Sequence, residues 1–147
     1  MLLKKGVDCV IHSNILDPQG RYVILKAELK DKMFVLINIY APNKDTCIIK
    51  FLNTLLFTLR KENLDEEENV ILGGDFNCPL NPFPDKKGDI LTPRKSVVKT
   101  IESLQDELDF VDIWRIKKSY KKKFYVGPEL SNDLLSFGLL ANFQQFI

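Results

Sequence analysis

The feature that most constrains the fold is the run Val70-Ile71-Leu72-Gly73, which passes directly into Gly74-Asp75-Phe76-Asn77. A short apolar stretch of this kind, bounded by a polar segment and by glycine, suits a buried central strand. The glycines permit close backbone packing and a tight exit. A chain containing such a strand is expected to build a sheet around it.

The residues before it supply candidates for that sheet. Val7 to His12, Arg21 to Leu29 and Met33 to Ile39 are β-branched or aromatic runs, separated by turn signals at Asp17-Pro18-Gln19-Gly20 and Lys30-Asp31-Lys32. The short polar turn between the second and third runs predicts an antiparallel hairpin. An amphipathic helix follows, with Ile48, Ile49, Leu52, Leu55, Leu56 and Leu59 at helical spacing and Asp45 or Thr46 as N-cap. Thr92-Pro93 predicts the start of a second helix, with Val97, Ile101, Leu104 and Leu108 along one face. Phe110 to Trp114 reads as another short strand, and Leu134 to Ile147 fits helix or strand. The alternation of strands and helices after an antiparallel start predicts a mixed α/β (α+β) fold, a sheet layered with helices.

Bulk properties narrow the function classes. The 147 residues fit one domain. An apolar content of 45% against 28% charged residues is that of a globular chain rather than a disordered one. The formal net charge of +1 gives no strong field of either sign, so affinity for nucleic acid has to come from a local patch. No apolar run reaches the length of a membrane span; Met33 to Tyr40 is among the longest and contains Asn38. Cys9, Cys47 and Cys78 form no CxxC pair, and the N-terminus lacks the pattern of a secretory signal. An intracellular location, nuclear or cytoplasmic, is therefore expected.

The chemistry concentrates after the buried strand. The carboxylate of Asp75 can take a proton from water, and the amide of Asn77 can donate to a phosphate oxygen. In extended geometry their spacing points both side chains to one side of the sheet edge. An Asp and an Asn that merely begin a turn would give the same sequence. A second constellation, Asn38-Ile39-Tyr40-Ala41-Pro42-Asn43, closes the apolar strand that precedes the first helix.

This pair of strand ends, in this order and with one helix between, resembles the endonuclease/exonuclease/phosphatase superfamily, and within it the endonucleases of LINE-type non-LTR retrotransposons. The resemblance also rests on Asp17 to Tyr22, Gly74 to Leu80, Thr92 to Ser96 and Phe110 to Arg115, and spans roughly Gly6 to Arg115. The chain then reads as a single partial domain, with residues 116–147 a divergent tail. The resemblance implies the four-layer α/β sandwich of the deoxyribonuclease I-like fold, of which this chain is a fragment. It further implies Mg²⁺-assisted hydrolysis of a DNA phosphodiester by in-line water. By position, Asp75 would orient or deprotonate the water, Asn77 would hold that water or a phosphate oxygen, and Tyr40 would hydrogen-bond the scissile phosphate. Asn43 would brace the loop beside them.

In the family an Asn and a metal-binding Glu precede the first matched motif, and a Ser-Asp-His lies near the C-terminus. None has a counterpart here, so no metal ligand is assigned, and catalytic incompetence of the chain alone is expected. His12, the single histidine, reads as a strand or edge residue. The run Arg115 to Tyr125, with Lys121 and Lys122 at its centre and aromatics interleaved, fits either a phosphate-backbone contact or a solvated loop. Asp65 to Glu68 reads as a solvated linker, and Cys78 as a small packing residue rather than a nucleophile.

Overall fold

The computed structural model describes residues 8–78, 94–113 and 137–143. In chain order these form β1 (Cys9–Leu16), β2 (Tyr22–Leu29), β3 (Lys32–Tyr40), α1 (Asp45–Lys61), β4 (Asn69–Asp75), α2 (Lys95–Glu107), β5 (Val111–Asp112) and β6 (Phe137–Phe143). The six strands make one mixed sheet in the order β1-β2-β3-β4-β6-β5. The expected central strand is β4, parallel to β3 on one side and antiparallel to β6 on the other. Leu134 to Ile147, ambiguous by periodicity, thus contributes a strand over its described part, because β4 has a second edge to satisfy.

The hairpin of β2 and β3 closes through Lys30 and Asp31, with Leu29 opposite Lys32. Both turn residues have positive φ, 50° and 62°, the backbone of a hairpin turn whose twist matches that of its strands. The strand expected at Val7 to His12 runs instead from Cys9 to Leu16, with a register shift between Ile11 and Ser13. His12 sits at that irregularity on the edge strand and pairs with Glu28 at 3.0 Å, a surface role. Polar Ser13 and Asn14 lie inside the strand because β2 offers a complete ladder to pair with.

One face of the sheet carries Ile24, Val35, Ile37, Ile39, Val70, Leu72 and Leu140, all buried in a core shared with both helices. Helix α1 contributes Ile48, Leu52, Leu55 and Leu59, each with no exposed surface, and α2 contributes Val97, Ile101 and Leu104. Burying each large aliphatic side chain contributes roughly 1.5–3 kcal/mol. The exposed Arg60–Glu107 ion pair that bridges the two helices is worth at most about 1 kcal/mol. The apolar stripes therefore dock the helices. On the other face Val23, Leu25, Phe34, Leu36 and Ile71 are only partly buried, and Ile11 and Leu16 on β1 are exposed. The described residues thus form one sheet with one helical layer. No helix among them is long and apolar enough to cross a membrane.

Three local expectations are corrected. The N-cap of α1 is Lys44, without a side-chain cap; Asp45 is the first helical residue, and its carboxylate is drawn to Arg94 instead. Helix α2 begins at Lys95 with Arg94 as N-cap, while Thr92 and Pro93 lie outside the described residues. Of the strand expected from Phe110 to Trp114, Val111–Asp112 forms; Phe110 turns into the core after Asp109, whose φ is 50°, and Trp114 lies outside the described residues.

Gly74 is the position where the backbone needs glycine. Its φ is 137°, and a Cβ there would lie 2.1 Å from the carbonyl oxygen of Ile39, its register partner on β3. No side-chain motion relieves a clash with a neighbouring backbone. Gly74→Ala is expected to destabilise the protein by about 3 kcal/mol or more, read as a lower urea midpoint at unchanged slope.

Candidate active site

Parallel pairing brings the two motif-bearing strand ends together. Tyr40 and Asp75 are register partners, each the last residue of its strand. The ladder continues one step further, with the Ala41 N–H donating to the Asp75 carbonyl at 2.8 Å. The loops after β3 and β4 therefore leave the sheet side by side, at the carboxyl ends of a parallel pair where α/β sheets place their ligands. Tyr40 alternates with buried Ile39 and is 56% exposed. Its backbone is held from the other side by the residue before β2: the Tyr40 N–H donates to the Arg21 carbonyl at 2.8 Å. The Asp17 turn is closed by the Arg21 N–H on the Asp17 carboxylate at 2.9 Å.

Asp75 and Asn77 are not alternating residues of one strand, as extended geometry predicts. The strand ends at Asp75, Phe76 turns into the core, and Asn77 adopts a φ of 50°. Asp75 Oδ1 accepts the Asn77 backbone N–H at 2.8 Å, and Asn77 Nδ2 donates to the Ala41 carbonyl at 2.6 Å. The carboxylate is thereby oriented at the strand end. The amide ties the β4 exit to the β3 exit, and asparagine tolerates this left-handed backbone better than most residues. One Nδ2 hydrogen is committed to that tie.

Arg94 completes the arrangement from the start of α2. Its Nη1 donates to the carbonyls of Asn43 at 3.0 Å and Asn77 at 3.1 Å, and its Nε meets Asp45 Oδ1 at 3.2 Å. Asn43 takes part in this contact through its backbone oxygen. Arg94 lay inside the Thr92 to Ser96 motif, but nothing in its spacing marked a partner 51 residues away. Lys121 and Lys122 lie outside the described residues.

Cys78 is 1% exposed and packs in the core behind Asn77. Burial pushes its thiol pKa up, opposed by the Arg94 charge and reinforced by Asp45. A thiol held protonated in this way packs rather than attacks. Asp65 to Glu68 is more than a solvated linker, since Glu67 forms an ion pair with Lys26 across the sheet. Among the described residues no three His, Cys, Asp or Glu side chains converge. The donors around Asp75 do not by themselves match the oxygen-rich coordination of a hard divalent cation.

Comparison with known proteins identifies the fold. The chain superposes on truncated Caenorhabditis elegans TDP2 with a TM-score of 0.52 at 13% sequence identity, covering 97% of this chain and 56% of that one. A second structure of Caenorhabditis elegans TDP2 gives a TM-score of 0.52 and 13% identity, covering 96% of this chain and 42% of that one. The architecture is thus α+β, of the deoxyribonuclease I-like fold. In sequence, the chain is 28% identical over 96 residues to the transposon TX1 uncharacterized 149 kDa protein of Xenopus laevis, an overlap of 65% of this chain and 7% of that protein. No family model matches the chain.

Two outcomes test the site's geometry. Asn77→Asp sets a carboxylate oxygen against the Ala41 carbonyl and is expected to cost about 2 kcal/mol at neutral pH, measured by urea denaturation. A thiol reagent applied to the native protein at neutral pH should label exposed Cys47 first. Cys78 should react only on unfolding; labelling of Cys78 at the rate of Cys47 would contradict its burial and raised pKa.

Proposed function

We propose that this chain is a segment of a phosphodiester-hydrolysing nuclease domain of the endonuclease/exonuclease/phosphatase type, derived from a retrotransposon and acting on DNA. The observation that carries the reading is the pairing of Tyr40 with Asp75 at the carboxyl ends of two parallel strands, in a deoxyribonuclease I-like fold. The motif resemblance and the 28% identity to a transposon protein support the origin.

In this reading Asp75 accepts the proton of a water that attacks phosphorus in line. The water oxygen forms the new P–O bond as the ester oxygen opposite it departs. The Asn77 N–H steadies Oδ1 of Asp75 and so orients the carboxylate that meets the water. The Tyr40 hydroxyl donates to a phosphate oxygen as charge builds there. Asn77 holds the two strand exits in register through Ala41 and has a second amide hydrogen for the water or the phosphate. Mg²⁺ dependence belongs to the proposal through the resemblance alone, and its ligands would have to include residues beyond those described. Lys121 and Lys122 are proposed to contact the DNA backbone, and the setting is proposed to be intracellular.

A second reading is a catalytically inactive segment that at most binds nucleic acid. Supercoiled plasmid incubated with the purified chain over a Mg²⁺ series separates the two. Nicking that falls by about a hundredfold or more in Asp75→Ala supports the enzyme, the scale expected for a lost general base. No nicking at any Mg²⁺ concentration selects the inactive reading for this chain. Nicking that survives Asp75→Ala removes Asp75 from the mechanism.

A further inference from the structure

We infer that Arg94 is a positioning residue that locks the two strand-exit loops into one body, so that the docking of α2 sets the geometry of the Tyr40–Asp75 site. Its catalytic consequence rests on the reading above, whereas the lock itself stands on the contacts. Arg94 reaches three segments at once: the β3–α1 loop through the Asn43 carbonyl, the first turn of α1 through Asp45, and the β4 exit through the Asn77 carbonyl. Asn77 then grips Ala41, one residue past Tyr40. Arg94, Asn77 and Ala41 thus form a chain of contacts from the N-terminus of α2 to the end of β3.

The guanidinium suits this task. Its fork of N–H donors has fixed directions, so one group can serve two carbonyls and a carboxylate together; an ammonium on a flexible stem holds no such geometry. The parts are unequal. Arg94 and Asp45 are 38% and 44% exposed, so their ion pair is screened by water and salt. The bonds to the two carbonyls are charge-assisted, and they join segments that no ladder connects. They make the lock, and Asp45 steers the guanidinium toward them. These contacts engage Nη1 and Nε, the donors that hold the guanidinium between the two exits.

Amide hydrogen exchange of the side-chain Nδ2 of Asn77 in the full chain reads the lock directly, with the Leu72 backbone amide in β4 as reference for global stability. Arg94→Ala should speed Asn77 exchange about tenfold, the effect of losing roughly 1.4 kcal/mol, with Leu72 unchanged. Arg94→Lys should give a partial effect and Asp45→Asn a smaller one. Arg60→Ala, which cuts the other ion pair between the helices, should leave Asn77 alone. Unchanged Asn77 exchange in Arg94→Ala overturns the inference, as does an equal loss in Arg60→Ala, which would make the effect one of general helix docking. If the wild-type chain nicks DNA, Arg94→Ala should lower kcat with KM held, and Arg94→Lys should recover part of the loss. A change confined to KM would assign Arg94 to substrate and overturn positioning. A wild-type chain without nicking defeats the catalytic reading, and the lock is then decided by the exchange result.

Discussion

The parallel pairing of β3 with β4 is the contact on which the rest of this structure depends. Parallel strands cannot be joined by a tight turn, so the chain must cross over, and α1 makes that crossover while covering the sheet face it spans. The pairing also forces both strands to end on the same side, which brings Tyr40 and Asp75 together. Gly74 is where that pairing leaves no room for a side chain. Its missing side chain admits the Ile39 backbone at a distance no Cβ would allow, one residue before the candidate catalytic carboxylate. The site's position and the requirement for Gly74 are consequences of the same register.

Beyond the strands, order comes from single polar contacts rather than from ladders. Asp75 holds the Asn77 N–H, Asn77 holds the Ala41 carbonyl, and Arg94 holds Asn43 and Asn77. Each bond is worth only about 1–3 kcal/mol. The Asn77 and Arg94 bonds nevertheless tie the β3 exit to the β4 exit and to the start of α2. Underneath, Phe76 and Cys78 alternate with Asp75 and Asn77 and are buried. The same few residues therefore anchor the loop in the core and present polar groups at its surface, a division of labour that explains why Cys78 stays protonated and unreactive.

Much of this was legible in the sequence, for identifiable reasons. Strands β2 to β4 and both helices have apolar periods that match their burial, and Lys30-Asp31 is a polar break of hairpin length. Other features were hidden. Strand β1 carries polar Ser13 and Asn14 inside it, so its composition understates its length. Both helix starts differ from those expected: Asp45 is already helical and serves Arg94, and Arg94 itself takes the N-cap position of α2. The turn of the backbone at Asn77 was invisible, since Asp-x-Asn fits an extended strand end as well as a tight exit.

The sequence by itself determined that a buried strand ends in Gly-Gly-Asp-Phe-Asn, that a second apolar strand ends in Asn-Ile-Tyr-Ala-Pro-Asn, and that one helix lies between them. Those are local properties, set by hydrophobic period and by glycine's freedom. Only the tertiary structure decided that the two ends are register neighbours, that Asn77 turns back upon Ala41, and that an arginine from a later helix holds both exits. The reason is physical: such contacts join residues tens of positions apart. Their geometry is fixed by how sheet and helices pack, and periodicity along the chain carries no record of it.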